Sequence, residues 1–157
     1  MPTVTLSAQA TVDAPAAEVW AVLADCTHDP RWRGGVVEMR QSNRGTVVEG
    51  TITYETMRAM GSTLRTVTAV TAVTASETGG MFRWVAVEGL DVEGSRRLTT
   101  GPSGRSVVCL TLRYSARGFG QRLLFPLMSR VLARTLERDA RRFQELFAAD
   151  APLVSRS

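Results

Sequence analysis

The sequence predicts an α+β domain: a curved antiparallel sheet of about seven strands wrapped around one long C-terminal helix, with two short helices after the first strand. Three observations carry this reading. Residues 120–149 hold Leu124, Met128, Leu132, Leu136, Phe143 and Phe147 at helical spacing, with Arg residues largely on the other side. Nearly everything between residues 35 and 116 is broken by Gly and Pro into short alternating or β-branched runs. Consecutive strands with the helices set apart from them define the α+β class. The helix spans about 40 Å at 1.5 Å per residue, and its apolar stripe needs a sheet to bury it.

The elements follow in chain order. Residues 3–12 alternate, with Val4, Leu6, Ala8, Ala10 and Val12 on one side, and read as a strand. In DAPAAEVWAVLAD, Pro15 suits a first helical position, Glu18 favours the positive end of the dipole, and Val19, Trp20, Val22 and Leu23 supply a buried face. CTHDPRWRGG is a turn with room for a short helical turn around Asp29 to Trp32. Residues 36–43 and 46–57 are expected to form strands flanking an Asn43-Arg44-Gly45 hairpin turn. Residues 63–76 repeat Val-Thr-Ala every three positions, a period that fits neither a flat strand nor a helix. β-branching favours a strand, with a bulge absorbing the mismatch. Residues 81–88, 92–100 and 105–116 complete the sheet. Pro126 falls early in the long helix, where it predicts a kink or a restart after a short helical lead-in. Residues 1–150 read as one domain and 151–157 as a frayed tail.

Composition excludes several functions. The net charge is +4 and all nineteen basic residues are Arg, a carboxylate and phosphate binder, but they are interleaved with acids. No basic stripe with interleaved aromatics appears, so no nucleic acid is expected as a partner. Cys26 and Cys109 form no CxxC pattern and His28 is the single histidine, so no metal site and no cofactor is expected. Without a signal peptide or a membrane-span pattern, the reading is a cytoplasmic protein with no stable membrane insertion, a monomer or homodimer.

Four pieces, in this order, resemble the START-like helix-grip superfamily (SRPBCC) in its polyketide cyclase/dehydrase and lipid-transport branch. They are VDAPAAEVWAVLAD, HDPRWRGGV, GRSVVCLTLRY, and RLLFPLMSRVLARTLERDARRFQELF with its early proline. The resemblance covers Thr3 to Ala149. It implies a helix-grip fold with an apolar cavity between sheet and closing helix, used by members for lipids, polyketides, sterols or quinones. It carries over no catalytic residue, because this branch shares no universal catalytic motif.

The expected partner is therefore a small hydrophobic ligand, lipid- or polyketide-like, bound or transported. Cyclase/dehydratase chemistry in the same cavity is the alternative, and a protein-interaction module without a functional cavity is a further one. The expected cavity wall is Trp32, Ile52, Tyr54, Phe82, Trp84 and Leu110, continued by Leu112, Tyr114, Leu124, Met128 and Leu132. Trp32 is open to a second reading as a loop anchor, and Trp20 reads as core. The polar edges of Trp84, Tyr54 and Tyr114 suit an apolar pocket with a few hydrogen-bonding groups. Glu88 and Arg96 share the parity of the inward residues, so a buried Arg–Glu pair acting with Tyr54 and Tyr114 is the candidate chemistry. His28 in THDP reads as a capping or exposed residue. Glu137–Arg141 and Asp139–Arg142 read as helix-surface pairs. Arg122, Arg130 and Arg134 are sparser than a typical membrane-binding cluster.

Overall fold

The computed structural model describes residues 1–149, so the tail read at 151–157 lies outside the described residues. Seven strands form one sheet: β1 (Thr3–Val12), β2 (Val36–Gln41), β3 (Ile52–Ala59), β4 (Ser62–Ser76), β5 (Gly79–Glu88), β6 (Val92–Thr100) and β7 (Ser106–Ser115). Their order is β1-β7-β6-β5-β4-β3-β2, and every neighbouring pair is antiparallel. β1 and β2 thus stand at opposite edges. The chain between them crosses the open side of the sheet as α1 (Ala16–Leu23) and a 3-10 turn (Cys26–Arg31). Pro15 is the N-cap of α1 rather than its first residue. Asp25 caps the 3-10 turn, its carboxylate accepting from Thr27 N–H at 3.1 Å and Thr27 Oγ1 at 2.6 Å.

The C-terminal segment is two helices, α2 (Gly118–Leu123) and α3 (Phe125–Ala149). Pro126 occupies the second position of α3, where a missing N–H costs no intrahelical bond, so the chain restarts there as a new helix. Leu124 N–H still donates to Gly120 C=O and Met128 N–H to Leu124 C=O, which keeps the joint helical.

One expectation fails in the first hairpin. Residues 42–51 are a loop, so the strand read at 46–57 begins only at Ile52 and the turn read at 43–45 is longer. Val47 explains it. Its side chain is buried in the core, and its N–H donates to Ala24 C=O at 2.8 Å. Buried Thr51 donates its Oγ1 hydrogen to Asn43 Oδ1 at 2.9 Å, and Gly50 turns the chain at φ +91°. The bulge expected in β4 is present between Val70 and Ala72, absorbing the three-residue repeat.

The core has two parts. One joins Val12, Val19, Leu23, Trp32, Leu98 and Val108 to Ala140 and Phe143 of α3; the other gathers Val36, Met39, Val47, Val70 and Phe82. The later half of α3 is thus nailed to β1, β7 and the 3-10 turn through Phe143, whose ring meets Trp32 edge-on at 5.1 Å.

Candidate functional site: a groove under the closing helix

Alternation along the strands puts Trp84, Gly94, Leu110, Leu112 and Tyr114 on the concave face, and the register sets Trp84 beside Gly94 and Gly94 beside Leu112. A Cβ at Gly94 would sit 2.6 Å from Cζ2 of Trp84, so the missing side chain is what lets the indole lie flat there. Packing above this floor is uneven. From Leu136 onward α3 contributes Leu136, Ala140, Phe143, Leu146 and Phe147 to the core. Before it, Met128, Val131 and Leu132 remain half-buried, as do Trp84 and Leu112 opposite, although central strands under a helix normally seal such residues. No residue of α3 before Leu136 joins either buried core cluster, so this half of the helix is the less tightly held one. Two shallow depressions lie outside this groove. One of about 670 Å³ sits at the β4–β5 turn, and one of about 170 Å³ lies between the β5–β6 turn and Gln121 of α2.

A buried charge cluster ties the 3-10 turn to β3, β6 and α3. Asp29, fully buried in the 3-10 turn, accepts from Arg96 Nη1 at 2.9 Å and Nη2 at 2.6 Å in a two-pronged pair. Arg33 Nη1 donates to the same carboxylate at 3.0 Å. Arg33 Nη2 reaches Glu55 of β3 at 2.7 Å, and its Nε lies 3.8 Å from Asp139 of α3. Arg96 also donates to Leu23 C=O at 3.0 Å, and its guanidinium lies 5.0 Å from the ring centre of Trp32 and 5.4 Å from that of Phe82. Thr53 and Thr68 share a hydrogen bond on the adjacent strands and are also buried. Burial works to discharge both arginines, but Glu55 and Asp29 at Arg33, and Asp29 at Arg96, more than offset it and raise their pKa values.

Two other groups in this region have shifted pKa values. Burial pushes the Cys26 thiol up to about 12 against the pull of Arg96. Native protein treated with iodoacetamide at pH of about 8 should leave Cys26 unlabelled by peptide mass spectrometry, and unfolded protein should label it fully. Burial also raises the Asp139 carboxyl, outweighing Arg33, the Gly34 N–H and Arg142.

A carboxyl whose folded pKa lies above its unfolded value stabilises the fold only when protonated. Its contribution is complete below the unfolded pKa and is lost as pH rises through the folded one. Asp139→Asn should accordingly gain stability on the unmodified protein as pH rises from about 4 to about 7 in urea titrations. A constant difference across that range would contradict the shift.

The structure sorts the residues singled out from sequence. Trp84 and Leu112 lie on the inner face of the sheet and Met128 and Leu132 on the early half of α3, all four half-buried. Trp32, Phe82 and Leu110 are sealed in the core, with Trp32 serving as the anchor of its turn, and Tyr114 is covered by a stacked Phe125 ring at 5.8 Å. Leu124 is 55% exposed at the helix joint, outside the groove. Tyr54 and Ile52 are corrected. They occupy the convex face, where Tyr54 is 45% exposed beneath the Arg40 guanidinium, while Thr53 and Glu55 take the inner side. Moving the start of β3 from 46 to 52 removed the run of residues from which parity had been read. The Glu88–Arg96 pair is also corrected: Glu88 is exposed, and Arg96 is bound to Asp29. Asp139 does not face solvent with Arg142 but is buried opposite Arg33.

Sequence reading missed Asp29, Arg33, Glu55 and Asp139 as one cluster. Asp139 carried a usable signal, lying three residues after Leu136 and four before Phe143 on the buried stripe.

A seven-stranded antiparallel sheet gripping one long C-terminal helix, with α1 and a 3-10 turn after the first strand, defines a helix-grip protein. The chain belongs to the polyketide cyclase/dehydrase and lipid-transport family, whose sequence profile matches residues 3–148. Hydrophobic-ligand binding is the general role that membership supports. Among solved structures, TTHA0849 from Thermus thermophilus is similar with a TM-score of 0.77 at 18% identity, covering 95% of this chain and 100% of its own. The Zhui aromatase/cyclase from Streptomyces sp. R1128 is similar with a TM-score of 0.76 at 15% identity, covering 98% of each chain. Ginseng major latex-like protein 151 from Panax ginseng gives 0.60 at 14% identity, covering 96% of this chain and 99% of its own. These likenesses establish the fold. No curated protein matches the sequence. No helix among the described residues is long and apolar enough to cross a membrane.

Proposed function

We propose that the chain binds and carries one small hydrophobic ligand, lipid- or polyketide-like, in the groove between Trp84 and Leu112 on the sheet and Met128 and Leu132 on α3. The observation that carries this reading is that the half-buried apolar residues Met128, Val131 and Leu132 of the early half of α3 join no core cluster, whereas Ala140 and Phe143 of the later half are fully buried in one. Apolar walls with a few polar groups at one side are the usual design of a small-molecule site. Arg33, Glu55 and the Thr53–Thr68 pair supply the polar side. The protein works in the cytoplasm, as a monomer or homodimer. Native mass spectrometry of the purified protein, alone and with a panel of fatty acids, phospholipids and aromatic polyketides, tests this. One ligand per chain from a single chemical class is the expected result; no adduct from any class would overturn the reading.

A further inference from the structure

The segment that walls the groove is apolar on its outer side as well. Phe119 is 84% exposed, Leu123 71%, Leu124 55% and Leu127 52%. Residues 119, 123 and 127 recur every four positions through the continuous helical bonding at Leu124, so they share one outward face. The inner face of the same segment is occupied by Phe125, stacked on Tyr114, and by half-buried Met128 and Leu132. A solvated helix carries polar groups on its outer side, and the later part of α3 does so with Glu137, Arg138, Arg141 and Glu145. The early part instead exposes Phe119, Leu123 and Leu127 beside its arginines.

Charge separates the two parts equally well. Residues 117–136 contain four Arg and no acid, whereas Glu137, Asp139 and Glu145 balance Arg138, Arg141 and Arg142 beyond them. Arg117 is engaged with Asp91 at 2.5 Å; Arg122, Arg130 and Arg134 are exposed around the apolar face. The β3–β4 turn lies at the same end of the sheet and adds Met60, 74% exposed, between exposed Arg58 and Arg65.

We infer that this end of the molecule docks on an anionic lipid bilayer, with Phe119, Leu123 and Leu127 in the headgroup region and Arg122 and Arg130 on lipid phosphates. Bare apolar side chains ringed by arginine, on a helix lying along the surface, match an interfacial anchor. A second copy of the chain fits the charge less well, because a two-fold contact through this face would set Arg122 and Arg130 close to their own counterparts. The inference stands on exposure and charge, and does not depend on what the groove carries.

Flotation of the full chain with phosphatidylcholine vesicles, with and without phosphatidylglycerol, tests it. Binding to the anionic vesicles should be at least about tenfold tighter than to neutral ones and should weaken as salt is raised. Phe119→Ser with Leu123→Ser should abolish flotation while the melting temperature stays unchanged, because both side chains are already in water. Arg122→Glu with Arg130→Glu should abolish only the preference for anionic lipid. The inference is overturned by no flotation, by equal binding to both vesicles, or by serine variants that still float. Self-association that the serine variants abolish, without vesicle binding, would assign the face to a second copy and also overturn it.

Discussion

Asp29→Ala should lower the unfolding free energy by about 3–5 kcal/mol, the range for removing one partner of a buried ion pair. Asp29 is wholly enclosed and accepts three charge-assisted hydrogen bonds from two guanidinium groups. Deleting it leaves Arg96 facing Trp32, Phe82 and one carbonyl oxygen, with no countercharge in contact. The cost arises from stranding a charge, not from losing attraction, so the pair can be removed together. Asp29→Leu combined with Arg96→Met should recover most of the loss. Asp25→Ala, which removes only a turn cap, should cost about 1 kcal/mol. Urea titrations of the four proteins decide this, and a loss at Asp29 no larger than that at Asp25 would contradict the role given to the cluster.

Leu132→Trp should weaken ligand binding at least about tenfold, equivalent to about 1.4 kcal/mol. Leu132 is half-buried and belongs to neither core cluster, so the larger side chain should narrow the proposed groove without displacing core residues. Val37→Trp, on an exposed position of β2, is the control and should change neither affinity nor stability. Calorimetric titration with whichever ligand class native mass spectrometry identifies reads the effect. Loss of binding accompanied by a large drop in melting temperature would instead mean that Leu132 is packed.

The fold was readable from sequence because its signals are local. Gly and Pro mark most strand ends, alternation marks β1 and β7, and the helical stripe marks α3. The region 42–51 was misread because Val47 and Thr51 resemble strand residues while serving as a plug on the core. That choice is made by Ala24, far away in sequence. The error propagated to Ile52 and Tyr54, since a shift in strand assignment exchanges faces.

The charge cluster was hidden for a related reason. Its members lie on the 3-10 turn, β3, β6 and α3, and only the sheet order brings them together. Parity correctly turned Arg96 inward but could not choose its partner, and Glu88 was merely nearer in sequence. The inward placement of Trp84 and Leu112 on the sheet came directly from periodicity on regular elements.

The central claim is that an apolar ligand lies between the early half of α3 and the sheet. A crystal structure of the protein bound to the ligand class selected by native mass spectrometry tests it most directly. Ligand density is expected in contact with Trp84, Leu112, Met128 and Leu132, with Arg33 or Glu55 at its polar end. Ligand density at the β4–β5 turn or on the outer face of α2, with the groove closed by its own side chains, would contradict it.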